Sequence, residues 1–142
     1  MNSASLPGVP WGIQFFQCTA PDGAPGSCPT SEFLDSVPPQ IAAEIESVLR
    51  AVADAPPFSF KGGGKWISMH GKMKGLYEVR CSRENFNYRL LCVLVKKSPA
   101  FDGSATVCLG GLTKPKRTKA DDRDYDEILD YRSQFGTRPS VA

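Results

Sequence analysis

At 142 residues the chain is the size of a single domain, long enough to bury roughly two-thirds of its unfolded surface without a metal or disulfide staple. Hydrophobic residues make up 41% and charged residues 23%, and no apolar run approaches the ~18 residues of a spanning helix, which excludes a helical membrane protein. Charge is unevenly spread: residues 1–60 hold one basic and six acidic groups, net −5; residues 61–119 hold nine Lys and four Arg against Glu78, Glu84 and Asp102, net +10; residues 120–142 hold three Arg against six acids, net −3. A cationic block between acidic ends points to a polyanion partner for the middle of the chain.

Residues 1–10 carry neither a basic n-region nor an apolar h-region, so they read as a flexible N-terminal segment of a cytoplasmic chain with no membrane partner. Trp11 to Gln17, aromatic and apolar, reads as a first strand, and Thr19 to Pro29 as loop. A short helical piece, Ser31 to Val37, leads to Pro38-Pro39. Pro39 suits the first turn of a second helix running to about Asp54, because its missing N–H would be unpaired there. Ile41, Ile45, Val48, Leu49 and Val52 fall at i, i+4, i+7, i+8 and i+11 of that helix, one stripe of a 3.6-residue period. Pro56-Pro57 ends it.

Residues 61–75, with Gly62 to Gly64 and His70-Gly71-Lys72-Met73-Lys74-Gly75, read as a basic loop or poorly regular segment. Leu76 to Cys81 and Tyr88 to Val95 read as an antiparallel hairpin connected by Ser82 to Asn87. Period-two geometry puts Tyr77 and Val79 on one face and Glu78 and Arg80 on the other. Tyr88, Leu90, Cys92 and Leu94 alternate with Arg89, Leu91, Val93 and Val95, and apolar residues on both faces place this strand centrally in a sheet. After a loop at Ser98 to Ser104, Ala105 to Leu112 supplies another strand, and Lys114, Lys116, Arg117 and Lys119 leave the sheet edge together. Asp121-Asp122 then suits the positive N-terminus of a last helix on which Tyr125, Ile128, Leu129 and Arg132 share a face.

Lys61-Gly62-Gly63-Gly64-Lys65 lacks the spacing and the preceding strand of a phosphate-binding loop. The five cysteines, Cys18, Cys28, Cys81, Cys92 and Cys108, are odd in number and contain no C-x-x-C pair. With His70 the only histidine, neither a disulfide framework nor a metal site is expected, and no cofactor. Cys81, Cys92 and Cys108 on strands read as small buried hydrophobes.

The run Met69-His70-Gly71-Lys72-Met73-Lys74-Gly75-Leu76-Tyr77-Glu78-Val79-Arg80, followed by Asn87-Tyr88-Arg89-Leu90 and by Gly111-Leu112-Thr113-Lys114-Pro115, resembles the RelE/HigB-type toxins of type II toxin–antitoxin systems, in the phage-derived HigB-like branch of the RelE/ParE superfamily. The resemblance covers roughly Trp11 to Phe135, which sets a single domain at 11–135 and a C-terminal tail at 136–142. It implies a RelE-like α+β fold, in which a small antiparallel-rich sheet carries N-terminal helices on one face, a cationic groove on the other, and a C-terminal helix. It also implies a translation-inhibiting endoribonuclease, a hydrolase of mRNA acting on the ribosome and held by a helix-turn-helix antitoxin. Arg80 and Arg89 match the strand arginines and Lys114 the basic residue at the last strand's exit. His70, Lys72, Lys74 and Tyr125 lie where the family often carries auxiliary groups. The chain departs from the pattern at Glu78, where some members have lysine. An acid there can pair with an arginine or lower the cationic strength, which leaves the choice of general base open.

The chemistry is compatible with these residue types. RNA carries its own nucleophile in the 2′-hydroxyl, so a protein need supply only in-line positioning, a proton acceptor, a proton donor and cations for the transition state. Neither a metal nor a cysteine is required. Arginine is the natural clamp, while a lysine crowded by like charges or His70 can take the proton. Arg80, Arg89, Lys114 and His70 are therefore the candidate catalytic residues. Lys72, Lys74, Lys116, Arg117, Lys119 and Tyr125 are the candidate RNA-binding ones. Two other readings stand beside this one: a non-catalytic nucleic-acid or protein-binding module on the same fold, and a ParE-like gyrase inhibitor.

Overall fold

The computed structural model describes residues 11–55, 64–98, 103–119 and 122–142. The expected flexible segment 1–10, the Pro56-Pro57 stop, residues 61–63 of the glycine-rich loop, residues 99–102 of the 98–104 loop and Asp121 lie outside them.

The fold is α+β. In chain order it runs β1 (Gly12–Phe15), α1 (Pro29–Ser36), α2 (Pro39–Asp54), β2 (Trp66–Ser68), a 3₁₀ turn (Gly71–Met73), β3 (Leu76–Arg83), β4 (Phe86–Ser98), β5 (Gly103–Pro115), a second 3₁₀ turn (Asp122–Tyr125) and α3 (Asp126–Thr137). The strands form one sheet in the order β1-β5-β4-β3-β2, antiparallel throughout except for β1, which pairs parallel with β5. The expected hairpin is β3 and β4, and β4 is central, with Leu90, Leu91 and Cys92 all buried.

Each face of the sheet has its own core. On one, α1 and α2 cover the sheet. The α2 stripe read from the sequence, Ile41, Ile45, Val48, Leu49 and Val52, is buried in full against Val79, Cys81, Tyr88, Leu90 and Cys92. Phe33 of α1 packs on Gly111 of β5, where a Cβ would clash with a ring carbon, so only glycine lets the helix approach this closely. The opposite face holds Leu76, Leu91, Ala105, Val107 and Leu109 under Tyr125, Ile128 and Phe135.

Three expectations need correction. Residues 61–75 are more regular than expected: Trp66–Ser68 pairs with β3, and Trp66 stacks on Tyr77 with ring centroids 5.0 Å apart. Lys114 does not leave the sheet, because β5 continues to Pro115. The second face is not an open groove, because the C-terminal segment crosses it. The chain beyond α3 also returns to the sheet: Gln17 N donates to Ser140 O (3.0 Å) and Ala142 N to Phe15 O (2.8 Å) along β1.

A bulge in β5 decides which side chains reach that second face. Leu91 pairs with Gly110 but Cys92 with Cys108, so Leu109 is an extra residue on β5. Before it, Ala105, Val107 and Leu109 face the second core. After it the alternation is shifted by one, and Leu112 and Lys114, opposite Arg89 and Asn87, share the face of Arg80 and Arg89. Without the bulge Lys114 would project under α1.

Burial sets the behaviour of the first core in alkali. The Cys81 thiol is pushed up from 9.0 to about 12, first by burial and then by the Glu44 carboxylate. The folded state therefore holds this proton more tightly than the unfolded chain. Its contribution is complete below about pH 9, the thiol's ordinary range, and is lost as pH rises toward 12. Urea unfolding midpoints should fall across that window, and a flat profile would show that the thiol ionises equally easily in both states.

Candidate functional site

Glu78 organises the second face. It sits on β3 with its side chain fully buried, at 0% exposure. Oε1 accepts from Arg80 Nε at 2.9 Å and faces Arg80 Nη2 at 2.8 Å. Oε2 accepts from the Tyr125 hydroxyl at 3.1 Å and lies 3.9 Å from Arg89 Nη1. Arg89 Nη1 in turn donates to Tyr125 Oη at 2.8 Å. These contacts arise from register: Arg80 and Arg89 are direct partners across β3 and β4, and Glu78 lies two residues back on the same face. A buried carboxylate is tolerable when both oxygens are paired in this way.

The cluster has two guanidinium groups and one carboxylate, a surplus of one positive charge. Arg80 is 41% exposed and Arg89 14%, so the surplus is reachable from solvent mainly through Arg80. Arg89 Nε is buried and has no hydrogen-bond acceptor among the described residues. Burial, and then the Glu78 carboxylate, hold the Tyr125 phenol above its usual range, against the opposing pull of Arg89. The hydroxyl therefore stays protonated well above neutral pH and remains able to donate.

Lys114, two residues along the strand from Leu112 and so about 7 Å further toward the hairpin turn, pairs with Asp124 at 2.9 Å. Lys116 and Arg117, exposed in the turn after β5, line a recess with Glu84, Asn85 and Pro115 at that end of the sheet. Lys119 is exposed as well. The structure thus brings Arg80, Arg89, Lys114 and Tyr125 together on one face, with Lys116 and Arg117 at its edge.

His70, Lys72 and Lys74 are elsewhere. His70 is exposed and precedes the first 3₁₀ turn, beyond the end of β3. Leu76, where β3 begins, already lies four strand residues from Arg80, about 13 Å. Lys72 pairs with Asp126 at 3.4 Å, and Lys74 offers its carbonyl to Arg132 Nη1 at 3.0 Å. Tyr125 is buried rather than presented to solvent, so in this arrangement its ring is a core group and only its hydroxyl takes part in the site.

Sequence reasoning places Glu78 beside the arginines but misses Asp124 and Asp126. The acidic run around Asp122 reads only as a favourable helix start, which α3 does have in Asp126 and Glu127. The available signal is the charge itself: a net −3 segment directly succeeds the +10 segment in sequence.

Among the described residues no group of three or more His, Cys, Asp or Glu side chains is placed to hold a metal ion, and no helix is long and apolar enough to cross a membrane. No protein-family model and no curated protein matches the sequence. The fold is similar to a chain in the crystal structure of the toxin–antitoxin complex RelBE2 from Mycobacterium tuberculosis. That similarity has a TM-score of 0.40 and 17% sequence identity, and covers 75% of this chain and 93% of that one.

Proposed function

We propose that the protein is the toxin of a type II toxin–antitoxin pair, a metal-independent endoribonuclease that cleaves mRNA on translating ribosomes and is held inactive by an antitoxin. The observation that carries this reading is the Arg80–Arg89 pair, directly opposed on adjacent strands with one carboxylate between them. Its single surplus positive charge matches the single negative charge of a phosphodiester. Guanidinium forks suit phosphate oxygens and stabilise the extra charge of the transition state.

In the reaction the 2′-oxygen attacks the adjacent phosphorus and the bond to the 5′-oxygen breaks, leaving a 2′,3′-cyclic phosphate and a 5′-hydroxyl. The 2′-hydroxyl proton passes to an acceptor, and the Tyr125 hydroxyl donates a proton to the departing 5′-oxygen. Arg80 and Arg89 hold the phosphoryl oxygens and Lys114 adds a third cation on the same face. Lys116, Arg117 and Lys119 contact phosphates further along the strand. His70, Lys72 and Lys74 meet the RNA away from the broken bond.

End-labelled RNA, free and on translating ribosomes, tests this in EDTA. The expected products end in cyclic phosphate, and His70→Gln should keep the wild-type pH–rate profile because His70 lies beyond the reach of the arginine pair. Loss of a neutral-pH inflection in that variant would return His70 to the chemistry. A second reading, a non-catalytic nucleic-acid-binding module, is favoured by the full burial of Glu78 with both oxygens engaged. RNA that is bound but never cut, with no growth arrest on induction, would establish it instead.

A further inference from the structure

Three consecutive residues each engage one of the groups assigned above to RNA. Asp124 Oδ1 pairs with Lys114 Nζ at 2.9 Å, Tyr125 Oη accepts from Arg89 Nη1 at 2.8 Å, and Asp126 Oδ1 lies 3.4 Å from Lys72 Nζ. Lys114 is on β5, Arg89 on β4, and Lys72 in the turn before β3. One short acidic segment therefore runs from Lys114 on the arginine face to Lys72 beyond the start of β3. Carboxylate oxygens take the same ammonium N–H groups that phosphate oxygens would take.

The two carboxylates are freer to move than the buried Tyr125 ring between them. Asp122–Tyr125 is a single 3₁₀ turn, whose hydrogen bonding is poorer than that of an α-helix. α3 is anchored one turn later by Ile128 and Phe135 in the second core. The Lys72–Asp126 pair is open to solvent, at 44% and 61% exposure, and such pairs are weak and screened by salt.

We propose that Asp124 and Asp126, on either side of the buried Tyr125, form a built-in anionic strap over the phosphate-binding cations Lys114 and Lys72, so that a polyanion binds by displacing these two carboxylates while Tyr125 stays in the core. The strap sets affinity by intramolecular competition. It rests on the RNA reading only for the identity of the natural polyanion.

The test compares the wild type with Asp124→Asn/Asp126→Asn, which keeps side-chain size and removes two charges. A charge-matched control, Glu46→Gln/Asp130→Asn, alters acids outside the face; Asp130 accepts from Gln134 on the same helix. The probes are a 2′-O-methylated single-stranded RNA, which cannot be cut, and inorganic polyphosphate. The strap variant should bind both about 5- to 10-fold more tightly near 0.1 M salt. Its plot of log affinity against log salt should be steeper by about 1 to 2, because two more cations are available to phosphates. In the wild type, polyphosphate should shift the side-chain carboxyl NMR resonances of Asp124 and Asp126 and leave that of Asp130 in place.

Equal affinities of wild type and strap variant, or an equal gain in the charge-matched control, would overturn the strap. If unmodified RNA is cut while those affinities are equal, the strap falls and the ribonuclease reading stands. If the variant gains affinity for polyphosphate while neither protein cuts RNA, the strap stands and the ribonuclease reading falls. Failure of both proteins to bind either polyanion overturns both.

Discussion

Arg89→Ala is expected to lower the single-turnover rate of RNA cleavage by at least ~100-fold, the scale on which loss of one preorganised charge-stabilising group acts. Two effects combine in this residue. Arg89 is the better buried of the two guanidinium groups, 14% exposed against 41% for Arg80, so its charge acts with less solvent screening. It also holds the Tyr125 hydroxyl at 2.8 Å, and its removal leaves the proposed proton donor attached to Glu78 alone. Arg89→Lys should recover only part of the loss, since an ammonium keeps the charge but not the planar fork. The Ala variant should still fold, because Glu78 keeps both contacts from Arg80. The measurement is cleavage of prebound RNA, with near-ultraviolet circular dichroism as the check on folding. A folded Arg89→Ala protein that cuts at the wild-type rate would remove this arginine from the chemistry and leave the face a binding surface.

What the sequence discloses about this fold divides by range. The α2 stripe and the alternation along β3 and β4 are local periodicities, each fixed by which face of one element must be buried, and both are as read. Glu78 beside Arg80 is also local, since residues two apart on a strand share a face. β2 has only three residues, too few for any period to show, and is defined by its pairing with β3. The bulge at Leu109 is a relation between two strands. Gly110-Gly111 hints at an irregularity, but only the register shows that it turns Lys114 onto the face of Arg89. The largest omission concerns charge. Counting by segment treats the +10 and −3 stretches as separate surfaces, whereas the fold lays one on the other through Lys114–Asp124 and Lys72–Asp126. Segment charge predicts an attraction; it does not say whether a partner or the chain itself answers it.

Removing the charge of Glu78 gives the largest expected loss of stability. Glu78→Ala should destabilise the fold by about 3 kcal/mol, the lower end for breaking a buried ion pair by deleting one partner. The lower end applies because Arg80 can turn into solvent. Arg89 cannot do so without exposing its surroundings, and it would then face Arg80 directly across the strand pair with no anion between them, an arrangement that is unfavourable for like charges. Glu78→Gln should cost less, because an amide still accepts from Arg80 or Tyr125 and leaves no cavity. Urea unfolding at neutral pH and low salt measures both. The double variant Glu78→Leu/Arg89→Met separates this account from simple loss of packing: removing both members of the pair should cost clearly less than the two single changes added together, a coupling expected of groups in one network. Additive losses would mean that the carboxylate and Arg89 stabilise the fold independently. In RNA binding the sign reverses. Glu78→Gln raises the surplus on this face from one positive charge to two, so affinity should increase with a steeper salt dependence even as stability falls. A stabiliser of the fold that weakens the grip on phosphate is what a carboxylate placed between two arginines must be.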